Sequence, residues 1–330
     1  MMSDLSRRDF FLTSAAVVAA TGAVATRNTA VAAEGGSGEG DPFRYCLNTS
    51  TISKCQYQGK LVDVVAEVEI AAKAGYTGIE PWIRGLDAFV KNGGVLSDLR
   101  KRIADAGLTV ESAIGFAAFL HEDEAERKKG LEEAKRCMGM VREIGGERLA
   151  APPVGVTDKT GLDLLQLSER YRALCEVGQT EGVYPQLELW GFSKTLSRMG
   201  EAAFVGIEAA HPRACFLLDI YHIYKGGSAF EGLNMFAGRR MYNFHVNDYP
   251  ADPPRDKIND AARVYCGDGI APLGDIFRTL RDGGYRGPLS LELFNPNYWK
   301  QDGLEVAQTG LEKTKAAVAK ALAQQSVEKP

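Results

Sequence analysis

Eight short runs of apolar or β-branched residues constrain this chain more than any other feature. Each is bounded by glycine, proline or polar residues and followed by a longer helix-like segment. They begin at Arg44 (RYCLNTS), Tyr76 (YTGIEPW), Leu108 (LTVESAI), Arg148 (RLAAPP), Pro185 (PQLELW), Ala214 (ACFLLDI), Tyr242 (YNFHVND) and Pro288 (PLSLELF). The segments between them carry apolar residues at helical spacing, such as Leu61, Val65, Val68 and Ala72, or Leu131, Ala134, Met138 and Val141. Glycines 75, 107, 145 and 283 follow such segments where a left-handed cap is expected. Starts spaced by about 30 to 45 residues match one βαβ step each, and eight steps favour a closed (β/α)8 barrel. An open doubly wound sheet is the competing architecture. It normally offers a glycine-rich phosphate loop after its first strand, and Cys46-Leu47-Asn48-Thr49-Ser50 has none.

The residues before the first run have a different character. Ser6-Arg7-Arg8-Asp9-Phe10-Phe11-Leu12 leads into a small-residue apolar stretch and then Val31-Ala32-Ala33, the order of a signal peptide with paired arginines. The uncharged stretch from Phe10 to Thr26 has 17 residues rich in alanine and threonine, short and weak for a membrane span. The expected organisation is a twin-arginine signal over residues 1–33, a flexible linker over 34–42, one barrel over 43–323 and a tail over 324–330. The expected location is periplasmic, or cell-envelope associated if the signal is retained, with no stable membrane insertion after cleavage. The net charge of −4 is scattered without a basic stripe, which argues against a nucleic-acid partner. Six cysteines show no C-x-x-C pair and no matching histidine spacing, so they are read as small buried hydrophobes rather than a zinc module.

Side chains near the C-terminal ends of barrel strands point into the mouth, where a carboxylate or imidazole is costly unless it has a task. The last four runs each carry one: Glu188, Asp219, His245 and Glu292. Singly, each is as well explained by an ion pair with a neighbouring lysine or arginine. Together they offer three oxygen ligands and one nitrogen to a single divalent cation, a set that favours Mn2+, with Mg2+, Co2+ or Zn2+ as alternatives. Trp190, beside Glu188, is a candidate sugar-stacking residue at the rim, with packing under a helix as the alternative. Of the four histidines, His222 and His245 fall in these motifs, whereas His211 and His121 are read as bystanders.

The pattern Glu188, Asp219-x-x-His222, His245 and Glu292 resembles the xylose isomerase-like barrel superfamily, and most closely its ketose 3-epimerase, hydroxypyruvate isomerase and inosose dehydratase branches. The resemblance covers essentially the whole chain after the signal. It implies that Glu188, Asp219, His245 and Glu292 hold one metal ion, and that Glu188 and Glu292 act as proton-transfer groups on opposite faces of a sugar. It also implies that His222 and an arginine after the seventh strand hold the substrate. Arg255, in the loop from Tyr249, is the arginine candidate, with Arg263 as rival. Gly267-Asp268-Gly269 resembles the superfamily's seventh loop, though alone it is a weak turn signal. Endonuclease IV, a trinuclear zinc enzyme of the same superfamily, needs more histidines than this chain has.

The expected activity is isomerisation or epimerisation of a ketose or related small carbohydrate through an enediolate. Elimination of a β-substituent from a keto-sugar, keto-inositol or 3-keto-glycoside is the alternative, because it shares the same first step. A non-catalytic sugar-binding barrel is the reading from another class, and the intact four-ligand set argues against it. A homo-oligomer is compatible with the sequence. A phosphorylated substrate is not supported, since neither a basic cluster nor a glycine-rich cradle stands at the expected mouth.

Overall fold

Eight parallel strands form the centre of the computed structural model, which describes residues 41–236, 238 and 240–323. They are β1 (Arg44–Asn48), β2 (Gly78–Glu80), β3 (Thr109–Val110), β4 (Arg148–Ala151), β5 (Tyr184–Glu188), β6 (Cys215–Asp219), β7 (Met241–Val246) and β8 (Pro288–Leu291). Their order is β3-β2-β1-β8-β7-β6-β5-β4, every neighbouring pair parallel. Between β3 and β4 the ring is joined by Ala113, whose N–H donates to Arg148 O at 3.1 Å and whose carbonyl accepts from Ala150 N at 2.9 Å. With helices alternating around the strands, this is a (β/α)8 barrel. The twin-arginine segment, residues 34–40 of the linker and the tail expected at 324–330 lie outside the described residues.

The third run is shorter as a strand than its sequence suggests. LTVESAI is assigned as strand only over Thr109–Val110, although the Glu111 N–H still donates to Ile79 O at 3.1 Å. The buried Glu111 carboxylate accepts from Arg44 Nε at 3.0 Å and Nη2 at 3.1 Å, a bidentate ion pair.

Local chemistry sets most helix ends as the sequence suggests: Gly75, Gly107 and Gly145 are left-handed, whereas Gly283 has φ −71° and Gly284, one residue later, takes the left-handed position at φ 80°. Asp63 caps helix Val64–Ala74 by accepting the Ala66 N–H, and Gly75 ends it at φ 91°, a conformation that costs little only without a Cβ. All six cysteines are buried and unpaired. Among the described residues, no helix is long and apolar enough to cross a membrane.

Candidate metal and substrate site

Strand register explains how distant residues meet at the mouth. Asp219 at the end of β6 lies beside His245 of β7, His245 lies beside Ser290 of β8, and Asn48 of β1 lies beside Glu80 of β2. Asp219, His245 and Glu292 each offer one ligand atom, all within 4.8 Å of one another and all buried. Glu188, at the end of β5, is 4% exposed and stands outside that three-residue cluster, on the wall of a cavity it shares with Glu292.

His245 carries the clearest sign of what this cluster holds. Its Nε2 is 2.9 Å from Glu80 Oε2, which fixes the ring proton on that nitrogen. Nδ1 is buried without a hydrogen-bond partner and faces Glu292 Oε2 at 3.3 Å and Asp219 Oδ2 at 3.8 Å. A buried imidazole nitrogen set between two carboxylates without a hydrogen-bond partner is a place a cation could take, and the donor set fits a divalent one. Of the buried carboxylates here, Asp219 and Glu292 pair with the buried guanidinium of Arg263, and Glu80 with His245.

Glu80 is the residue that sequence reasoning missed. It accepts hydrogen bonds from Asn48 Nδ2 (2.9 Å), Asn243 Nδ2 (2.7 Å) and Ser290 Oγ (2.7 Å) besides its contact with His245. Its signal was present in YTGIEPW, a carboxylate at a strand end like the four that were singled out.

Arg263 and Arg255 are separated plainly. Arg255 is exposed and its guanidinium lies over Gly227, away from the metal-ligand candidates, so the structure does not bring it to the site. Arg263 is fully buried and donates through Nη1 to Asp219 Oδ2 and Glu292 Oε2, both at 2.9 Å. The cause is the path of the chain after β7. Backbone bonds exchanged between Asp248 and Val264 at 2.9 Å bring residue 263 back to the strand end, although it is far from His245 in sequence. Asp260 then grips the guanidinium at Nη2 (2.6 Å) and Nε (3.1 Å).

His222 sits in the first turn after β6, where Asp219 accepts its N–H at 2.7 Å. Gly191 comes so close that a Cβ there would strike the His222 carbonyl, and its N–H points at His222 Nδ1 at 3.3 Å. The shorter of the ring's two contacts is at Nε2, 3.1 Å from Arg263 Nη2, and because a guanidinium nitrogen only donates, Nε2 accepts there. Arg263 thereby links His222 to the carboxylates of Asp219, Asp260 and Glu292. Burial, reinforced by Arg263, pushes His222 down to about 3, so the ring is neutral at ordinary pH.

The two glutamates are split in acidity. Burial pushes Glu188 up to about 8, with Glu292 and Asp219 adding to it against His245. Glu292 suffers the same burial, but His245 and Arg263 overcome it and hold the carboxyl near 2. His245 is raised well above its usual range because Glu292 and Glu80 outweigh the burial that opposes its charge.

Above these groups lies a cavity of about 360 Å³ whose walls include Trp82, Phe116, Trp190, Phe192, Phe294 and Trp299. Trp190 is half-buried, stacked on Phe192 at 5.2 Å between ring centroids and 5.8 Å from Phe116. His121 and His211 do not line it; each accepts a local backbone N–H, from Asp123 and Arg213.

Comparison with known proteins gives a consistent picture. The profile of the xylose isomerase-like TIM barrel family matches residues 68–317. An inosose isomerase of Bacillus velezensis is 26% identical over 260 residues, covering 77% of this chain and 91% of that protein. A 3-dehydroshikimate dehydratase of Pseudomonas aeruginosa is 26% identical over 253 residues, covering 74% of this chain and 37% of that longer protein. The crystal structure of the IolI protein with a bound zinc atom superposes with a TM-score of 0.76 at 22% identity, covering 86% of this chain and all of that one (100%).

Proposed function

The chain belongs to the xylose isomerase-like TIM barrel family, and from that premise we propose that it is a divalent-metal-dependent isomerase or epimerase of a ketose or related small carbohydrate. The observation that carries this reading is the partnerless Nδ1 of His245 between Asp219 and Glu292, with Glu188 on the same cavity. Glu188, Asp219, His245 and Glu292 would hold the ion. Three carboxylates and one imidazole favour Mn2+; the zinc atom of the IolI structure makes Zn2+ its competitor. When bound, such an ion supplies a Lewis acid that polarises a carbonyl and favours the negative charge of an enediolate.

The remaining work falls to this chain's side chains. Glu292 and Glu188, on the same cavity, are placed to take the proton from the carbon next to the carbonyl and to return one. His222 and Arg263, both on the cavity wall, are the groups placed against the substrate's oxygens, and Asp260 keeps the guanidinium in place. Reprotonation on the other face gives an epimer, and reprotonation after the carbonyl shifts gives an isomer. Elimination is the second reading, favoured by the likeness to 3-dehydroshikimate dehydratase, since the proton taken in the first step could equally be returned to a departing β-substituent.

Glu188→Gln and Glu292→Gln test the proton-transfer pair, because glutamine keeps an oxygen donor and loses the basicity. Both should retain metal while exchange of substrate hydrogen with deuterated water slows by roughly 100-fold or more. Exchange at the parent rate in both variants would discard the two-carboxylate mechanism.

A further inference from the structure

We propose that the substrate of this barrel carries an aromatic ring as its aglycone, and that Phe116, Trp190 and Phe192 form the subsite for that ring. The inference depends on the function proposed above only in placing the sugar end of the substrate at Glu188 and Glu292.

Polar chemistry in the cavity is confined to one side. Among the residues lining it, Glu188, His222, Asp260, Arg263 and Glu292 are the ionisable ones, and they belong to the metal and oxygen site. The indole N–H groups of Trp82 and Trp299 are turned to the protein, donating to Asn48 Oδ1 at 2.8 Å and Ser50 O at 3.1 Å. What these side chains leave for a ligand is ring surface.

The rings form a continuous belt. Centroid separations run from Phe294 to Trp82 (5.9 Å), Trp82 to Phe116 (5.3 Å), Phe116 to Trp190 (5.8 Å), Trp190 to Phe192 (5.2 Å) and Phe192 to His222 (5.7 Å). Arg263 closes the belt, its guanidinium 5.2 Å from the Phe294 centroid and bonded to His222. Phe116 and Phe192 are each 44% exposed, which leaves apolar surface uncovered at the mouth.

A bare monosaccharide fits the polar side of this cavity but not the rest. Hydroxyls that reach past the ionisable groups would leave water for a wall of rings and aliphatic carbon from Ile114, Ala261 and Pro296, without hydrogen-bond partners. A second sugar ring would meet the same deficit around its edge. An aromatic group needs no such partners and gains from edge and face contacts with rings already held at van der Waals spacing.

The test is calorimetric binding to the metal-loaded protein of matched methyl and phenyl 3-keto-β-glycosides in the gluco and galacto series. The phenyl member of at least one pair should bind about tenfold more tightly, the scale of one added aromatic contact with its buried area. Phe116→Ala and Phe192→Ala should each remove most of that preference while methyl-glycoside affinity and metal content stay at parent values. Equal affinity within every pair, failure of every phenyl compound to bind, or a preference that survives the double variant would overturn the proposal. So would a parent dimer that dissociates in the double variant with the preference unchanged, since the rings would then be a subunit interface. Proton exchange in deuterated water reads the other proposal separately: phenyl preference without exchange removes the isomerase reading alone, and exchange without phenyl preference removes the aglycone subsite alone.

Discussion

His245 is asked to do two things at once, and its two nitrogens divide them. Nε2 is committed to Glu80, and Nδ1 stands between Glu292 and Asp219. Glu292 and Glu80 raise the imidazole well above its usual range against burial, so a cation entering between Glu292 and Asp219 competes with a proton. The sign follows directly: binding a cation expels that proton, so affinity should fall about tenfold per pH unit on acidification below the metal-free pKa of His245. Glu80→Gln removes the carboxylate that orients the ring, and metal affinity should drop roughly 10- to 100-fold, with secondary structure unchanged by circular dichroism. Titration with Mn2+ at pH 6 and pH 8 checks both expectations; a pH-independent affinity together with a parent-like Glu80→Gln variant would refute them. Glu67 is a second buried carboxyl, outside the metal site, raised by burial to about 8, with Oε2 lacking any hydrogen-bond partner. Its folded pKa exceeds the unfolded value, so the folded state holds the extra proton and loses stability as pH rises between the two, by roughly 1.4 kcal/mol per unit. From pH 5.5 to 7.5 the parent should therefore lose about 2–3 kcal/mol more than Glu67→Gln in chemical denaturation. Parallel losses in the two proteins would show that Glu67 ionises freely.

The segment after β7 shows what periodicity reveals about an element and what it conceals. Strand runs and helix stops were legible because burial imposes a repeat on the sequence, and the four polar strand ends stood out against it. The return of the loop did not, because it depends on a backbone bridge between Asp248 and Val264 that leaves no repeat. Proximity in sequence favoured Arg255, whereas the bridge delivers Arg263. Gly267-Asp268-Gly269, a weak turn signal by itself, has its physical reason in Asp248. That carboxylate accepts the N–H groups of Tyr249 and Ala271 through Oδ1 (2.8 Å each) and of Gly267 and Gly269 through Oδ2 (3.0 Å each). Gly269 lies so close that a Cβ would collide with Asp248, and Gly267 has φ 91°. One carboxylate therefore fastens both ends of the segment that carries Arg263. Asp248→Ala should leave these N–H groups unsatisfied and cost about 2–4 kcal/mol in denaturant unfolding. It should also weaken substrate affinity while metal content stays unchanged. Parent-like stability would mean that the loop holds itself without the carboxylate.

At the scale of the whole molecule, the barrel gathers the proposed ligands from half of the ring. The ends of β6 to β8 bring Asp219, His245 and Glu292 together, with Glu188 at the end of β5 on the cavity wall, while β2, on the other side of β1, supplies Glu80. An ion held this way depends on the closed ring, so metal loading and folding are coupled events for such a chain. That coupling bears on the segment before the barrel, which we propose directs export by the twin-arginine route to the periplasm. A site assembled from residues as far apart as Glu80 and Glu292 exists only after folding, and a route that moves folded protein delivers it with its ion in place. The six buried, unpaired cysteines suit the same order of events, since they need no oxidising compartment to reach this fold. Arg7 and Arg8 are the element such a receptor reads, and the apolar stretch behind them is weak for the alternative pathway. Changing both to lysine should leave the precursor in the cytoplasm, folded and metal-loaded, while the parent appears in the periplasmic fraction. Fractionation followed by immunoblotting, with metal analysis of each pool, reads the result, and normal export of the double variant would assign the segment to a different pathway.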